Sequence, residues 1–197
     1  MLQHRLRPAV TAFITPLCRG LLKGGLKADH MTWIGAIGAT LSALLLFPAG
    51  KFFEGTLLVT IFALTDLLDG TMARISNSGG TRWGALLDST LDRVTDAAIL
   101  IGILGYTLKE DSNLAFVVLA NLVTGSLIPY IRARAEGLGL SCSVGIAERT
   151  ERLIIILVAT ALYGFSLSFA LGLGMYVLLI LSLITIAQRI AHIRKAS

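Results

Sequence analysis

The chain has 197 residues, 55% of them hydrophobic and only 15% charged, with a mean hydropathy of +0.79. Such a composition argues against a soluble globular domain and for a membrane protein. The net charge of +5 needs no nucleic acid to explain it: no aromatic-interleaved basic patch is present, and basic residues at a membrane surface attract anionic lipid headgroups.

Residues 1–31 open the chain with Val10, Phe13, Ile14, Leu17 and Leu21 at helical spacing, flanked by arginine and lysine. This pattern predicts an amphipathic helix lying in the membrane interface. A secretory signal fits less well, because Pro16 interrupts a short apolar run and no small-residue cleavage site follows. Six apolar segments come next, near 32–50, 54–73, 85–107, 113–132, 152–169 and 171–190, each about long enough to cross a bilayer. The expected fold is therefore an all-α integral membrane protein: one domain over 1–197, with a juxtamembrane helix (1–31), a six-helix bundle (32–190) and a short tail (191–197). Cys18 and Cys142 are too few for a disulfide scaffold and read as free thiols.

Charge asymmetry predicts the orientation. Of the 17 lysines and arginines, all but Lys51, Lys109 and Arg93 fall at the termini or in the second-to-third and fourth-to-fifth connections. The positive-inside rule then places both termini in the cytoplasm, as expected of a multi-pass protein of the plasma membrane.

Between the second and third segments runs TDLLDGTMARISNSGGTRWGALLDSTLDRVTD, with Asp66, Asp69, Asp88, Asp92 and Asp96. Ionised carboxylates near hydrocarbon need pairing, water or a cation. Asp66 and Asp69 are three apart, and Asp88, Asp92 and Asp96 are four apart, so each set shares a helix face. A turn through Ser76–Gly80 would bring the faces together at the cytoplasmic boundary. Hard oxygen donors suit Mg²⁺ or Mn²⁺, whereas His4, His30 and His192 have no metal-ligand spacing. Gly70 would admit a ligand close to the backbone, and Arg74, one turn on, could pair with a phosphate. The alternative is that these aspartates only pair with Arg74, Arg82 and Arg93, but three arginines cannot neutralise five carboxylates.

Asp66, Asp69, Gly70, Ala73, Arg74, Gly84, Asp88 and Asp92 resemble the signature of the CDP-alcohol phosphotransferases, D-x2-D-G-x2-A-R-x8-G-x3-D-x3-D. The chain departs from it in one place: nine residues, not eight, separate Arg74 from Gly84, within the turn. LKADHMTWIG (26–35) is similar to the family's nucleotide-side segment, although Ala28 stands where proline is usual. TRWGALLDSTLDR, IRARAEGLGL and ERTERLIII look most like the branch that makes phosphatidylinositol phosphate.

The resemblance implies transfer of a phosphatidyl group from CDP-diacylglycerol to an inositol phosphate hydroxyl, with release of CMP. It implies two metal ions, Mg²⁺ or alternatively Mn²⁺. Asp66 and Asp88 would bridge them, Asp69 would bind one, and Asp92 would bind the other and act as general base. Asp29, His30, Met31, Thr32, Gly70, Arg74 and Thr81 would contact CDP-diacylglycerol. Arg132, Arg152 and Arg189, at the ends of segments four to six, would hold the acceptor phosphate, for which arginine's paired donors are suited. A homodimer is implied as well. Taken singly, each arginine reads as a positive-inside anchor; taken together with the RARAE and ERTER contexts, the three favour the pocket. Asp96 reads either as support for the metal ligands or as a structural contact.

Three other readings remain open: a phosphatidylglycerophosphate synthase using glycerol 3-phosphate, a cation or proton transporter built on intramembrane carboxylates, and an inactive scaffold.

Overall fold

The computed structural model describes residues 14–76, 81–110 and 112–196, and among them every regular element is helical. In chain order these are α1 (14–23), α2 (Ala28–Leu46), a 3-10 turn over Phe47–Ala49, α3 (Phe52–Ala63), α4 (Thr65–Ile75), α5 (Arg82–Lys109), α6 (Leu114–Gly137), α7 (Arg149–Gly164) and α8 (Phe169–Ala196). Large apolar side chains stand exposed along them, among them Leu45, Leu86, Phe116, Leu173 and Ile180. Exposure on that scale suits hydrocarbon rather than water, and helices satisfy their own backbone hydrogen bonds there.

By length and composition, four stretches among the described residues can cross a membrane: Ala28–Ala49, Phe52–Ile75, Leu114–Gly137 and Phe169–Ala196. The two other expected spans form as helices but differ from that class for physical reasons. α5 is long enough, at 28 residues, but Asp88, Asp92, Arg93 and Asp96 load its first half with charge. α7 has 16 residues, about 24 Å of helix against roughly 30 Å of hydrocarbon.

The second expected segment is not one continuous helix. It breaks at Leu64 between α3 and α4, where the Thr65 hydroxyl donates to the Phe62 carbonyl at 2.6 Å. The break places Asp66 in the first turn of α4, where the positive end of the helix dipole favours a carboxylate.

The described helices group into two compact units: residues 14–41 with those of Leu58–Thr95, and Ser42–Leu57 with those from Asp96 to 196. In the first, Cys18, Met31 and Met72 form a buried cluster joined by Ile14, Leu21, Leu22, Leu68 and Ile75. The packed face of α1 is thus Ile14, Cys18, Leu21 and Leu22. Leu17, expected on that face, is 55% exposed, and Val10 and Phe13 lie outside the described residues.

In the second unit, Phe52 packs edge-on against both Tyr106 and Tyr163, whose hydroxyls share a hydrogen bond at 2.8 Å. Polar side chains fasten helices to one another: the Thr56 hydroxyl donates to Thr160 at 2.7 Å, and Asn121 Nδ2 donates to the Met175 carbonyl at 2.9 Å. The segment between α6 and α7 is held to α8, since the Ala147 amide donates to Thr185 Oγ1 and the Ile146 amide to Gln188 Oε1.

Candidate metal and substrate site

Three of the expected aspartates meet. Asp66 and Asp69 of α4 and Asp88 of α5 each offer a carboxylate oxygen, and these oxygens lie within 4.8 Å of one another. Asp69 is 8% exposed, Asp66 is half-buried and Asp88 is exposed, so the triplet opens to one side. The Thr32 hydroxyl donates to Asp69 Oδ2 at 2.7 Å and fixes that carboxylate from α2. Three mutually repelling carboxylates this close call for a shared cation, and an all-oxygen donor set matches a hard divalent ion. The residues therefore fit Mg²⁺ or Mn²⁺.

Asp92 is half-buried one turn beyond Asp88, about 6 Å further along α5, and is not part of the triplet. Gly70 is half-buried, and a methyl group added to it would meet nothing within 4 Å among the described residues, so the backbone beside Asp69 borders open space there. At Gly84 the added carbon would stand 3.4 Å from Asp29 Oδ1 and 3.2 Å from Thr81 Oγ1, which draws Asp29 and Thr81 to the start of α5.

The remaining expected contacts are partly engaged within the protein. Thr81 Oγ1 accepts the Gly84 amide at 2.9 Å and caps α5, while Arg74 Nη2 donates to Thr71 Oγ1 at 2.9 Å. Met31 lies in the apolar cluster, and His30 Nδ1 accepts the Lys27 amide at 3.2 Å.

The second unit carries a group of guanidiniums. Arg152 (7% exposed) reaches Asp96 Oδ2 through Nη2 at 3.4 Å and the Ala147 carbonyl through Nη1 at 3.3 Å. Arg149 Nε stands 3.5 Å from Asp96 Oδ1. Arg189 (3% exposed) donates to the carbonyls of Val144 and Ile128, and its charge and that of Arg149 both repel Arg152. Arg132 is exposed and pairs with Glu136 at 2.9 Å. Arg152 and Arg189 are thus brought together, with Arg149 beside them. Arg149 is not among the contacts expected from the sequence; only its ERTER spacing, three residues before Arg152, hints at a shared helix face.

Membrane-spanning helices carrying a carboxylate triplet suited to a divalent ion define a membrane-embedded class of metal-dependent enzyme. The chain belongs to the CDP-alcohol phosphatidyltransferase family, whose model matches residues 26–188. It is 46% identical over 151 residues to the phosphatidylinositol phosphate synthase of Mycobacterium tuberculosis, an alignment covering 76% of this chain and 69% of the relative. Two crystal structures of the M. tuberculosis enzyme are similar. One, with CDP-diacylglycerol bound, has a TM-score of 0.85 at 43% identity, covering 91% of this chain and 92% of the other. The other, in complex with manganese and citrate, has a TM-score of 0.86 at 42% identity, covering 91% and 88%.

Proposed function

We propose that this phosphatidyltransferase moves the phosphatidyl group of CDP-diacylglycerol onto 1D-myo-inositol 3-phosphate, yielding phosphatidylinositol phosphate and CMP. The observation that carries the reading is the triplet of Asp66, Asp69 and Asp88. Divalent ions held there, with Asp92 completing the set, would neutralise the pyrophosphate and the leaving CMP. Asp69, oriented by Thr32, and Asp66, at the start of α4, fix the donor end of the site. The open space at Gly70 admits the pyrophosphate, with Arg74, Thr81 and the segment from Asp29 to Thr32 lining its approach. Asp92 takes the proton of the attacking hydroxyl as the new P–O bond forms.

Arg132, Arg152 and Arg189 hold the acceptor phosphate in this reading. Its support is the like charge of two buried guanidiniums: Arg189 lies near enough to repel Arg152. A phosphate dianion between them would balance that repulsion, which favours a phosphorylated acceptor over a free polyol. Glycerol 3-phosphate would balance it equally well, and so a phosphatidylglycerophosphate synthase is the second reading. We further place six spans in the plasma membrane, both termini and the site at the cytoplasmic face, α1 in the interface, and the protein as a homodimer.

The test is CMP release by purified protein with Mg²⁺ and CDP-diacylglycerol, comparing inositol phosphate, free inositol and glycerol 3-phosphate. Release confined to inositol phosphate, and reduced at least 100-fold in Asp92→Asn, is expected. A preference for glycerol 3-phosphate would overturn the acceptor and keep the chemistry. No release with any acceptor would overturn both and return the carboxylates to a transport role.

A further inference from the structure

We infer that Asp96 is a positioning residue of the acceptor pocket, holding the guanidiniums of Arg149 and Arg152 in the orientation that receives the acceptor phosphate. The inference rests on the phosphorylated-acceptor reading above. Asp96 belongs to α5, but its carboxylate faces α7: one oxygen is 3.5 Å from Arg149 Nε and the other is 3.4 Å from Arg152 Nη2. Arg149 and Arg152 are three apart at the start of α7, so their side chains leave the same face of that helix.

Two like charges on one face repel. A single carboxylate between them lets both sit together, and Arg152, which bonds Asp96 through one terminal nitrogen and the Ala147 carbonyl through the other, keeps further N–H donors in its fork for an anion. Arg152 is anchored from a second side by the Ala147 carbonyl, in the segment that Thr185 and Gln188 hold to α8. The guanidinium is thereby fixed at two points before any ligand arrives, and such preorganisation raises affinity by reducing what must be ordered on binding. Asp96 does not touch the phosphate in this arrangement; it acts through the arginines.

A purely structural ion pair would have the same geometry, so the test must separate affinity from folding. Initial rates of CMP release are measured for wild type, Asp96→Asn, Asp96→Glu and Arg149→Gln, varying acceptor and CDP-diacylglycerol separately, alongside inhibition by inorganic phosphate competing with the acceptor. For Asp96→Asn the acceptor KM and the phosphate inhibition constant are expected to rise together by about tenfold. kcat and the CDP-diacylglycerol KM should stay within twofold. Asp96→Glu, which keeps the charge, should recover part of the loss, and Arg149→Gln should reproduce it.

An unchanged acceptor KM in Asp96→Asn overturns the inference, as does tighter phosphate binding, which would make Asp96 only a competitor for the arginines. If Asp96→Asn does not fold, Asp96→Glu and Arg149→Gln decide by the same KM criterion. Failure of the underlying reading is separate: wild-type protein would then show no preference for a phosphorylated acceptor.

Discussion

At the scale of single residues, Gly70 separates function from stability. A glycine inside a helix weakens it by up to about 1 kcal/mol relative to alanine, and an added methyl group here would meet nothing outside its own helix within 4 Å among the described residues. Gly70→Ala should therefore hold or raise the melting temperature while raising the CDP-diacylglycerol KM at least severalfold, because the methyl would occupy the space that the proposed function gives to the pyrophosphate. Unchanged kinetics would show that the space has no occupant. Cys18 makes the opposite point. Fully buried against the Leu68 carbonyl, its thiol is pushed up by burial, more than the nearby Arg74 charge lowers it. The thiolate is thus scarcer at any pH than in the unfolded chain, and the resulting stability is present below the ordinary thiol pKa and lost as pH rises through the folded one. Iodoacetamide at pH 8 should modify Cys18 far more slowly in folded protein than in denaturant. The aspartates of the triplet were legible because carboxylates three and four apart in an apolar chain have few uses other than holding a cation. Asp96 with Arg149 was not: the pair is 53 positions apart in sequence, and only the packing of α5 on α7 joins them.

At the scale of elements, close approach of helix backbones is the recurrent device. Gly102 of α5 faces the main chain of α2 so closely that an added carbon would stand 2.4 Å from the Ala43 carbonyl oxygen. A backbone atom cannot swing aside as a side chain can. Gly102→Ala is expected to destabilise the protein by roughly 1–3 kcal/mol, read as a fall in melting temperature, even though alanine is the better helix former. An unchanged melting temperature would mean that α2 and α5 can separate at little cost. The helices themselves were readable from apolar runs, since length and hydropathy locate α2, α6 and α8 to within a few residues. The break at Leu64 was not readable. Leucine, threonine and aspartate in LTDLL carry no glycine or proline, and the interruption coincides with the Thr65 hydroxyl's bond back to the Phe62 carbonyl, which periodicity does not encode.

At the scale of the whole molecule, the number of crossings decides which connections meet which side of the membrane. Four and six crossings both leave the termini together, so the termini cannot discriminate. The connections either side of α6 can. If α5 and α7 cross, Lys109 faces outward and the segment from Leu138 to Glu148 faces the cytoplasm; if neither crosses, the two are exchanged. Three observations favour crossing. α5 is about 42 Å long, beyond the hydrocarbon thickness, and the half of it after Asp96 is apolar. Arg132, Arg134, Arg149 and Arg152 flank the 138–148 segment, which the positive-inside rule assigns to the cytoplasm. The charged half of α5 also turns its charges inward, Asp96 to Arg149 and Arg152, and Asp88 to Asp66 and Asp69 where a cation would be shared, so these charges need not face lipid. Cys18 and Cys142 are buried, which leaves the native chain quiet toward thiol reagents. A membrane-impermeant maleimide applied to intact cells should therefore label Lys109→Cys and not Ser143→Cys, with the pattern reversed on inside-out vesicles. Labelling of Ser143→Cys from outside would leave α5 and α7 as helices lying within the bundle without traversing the membrane.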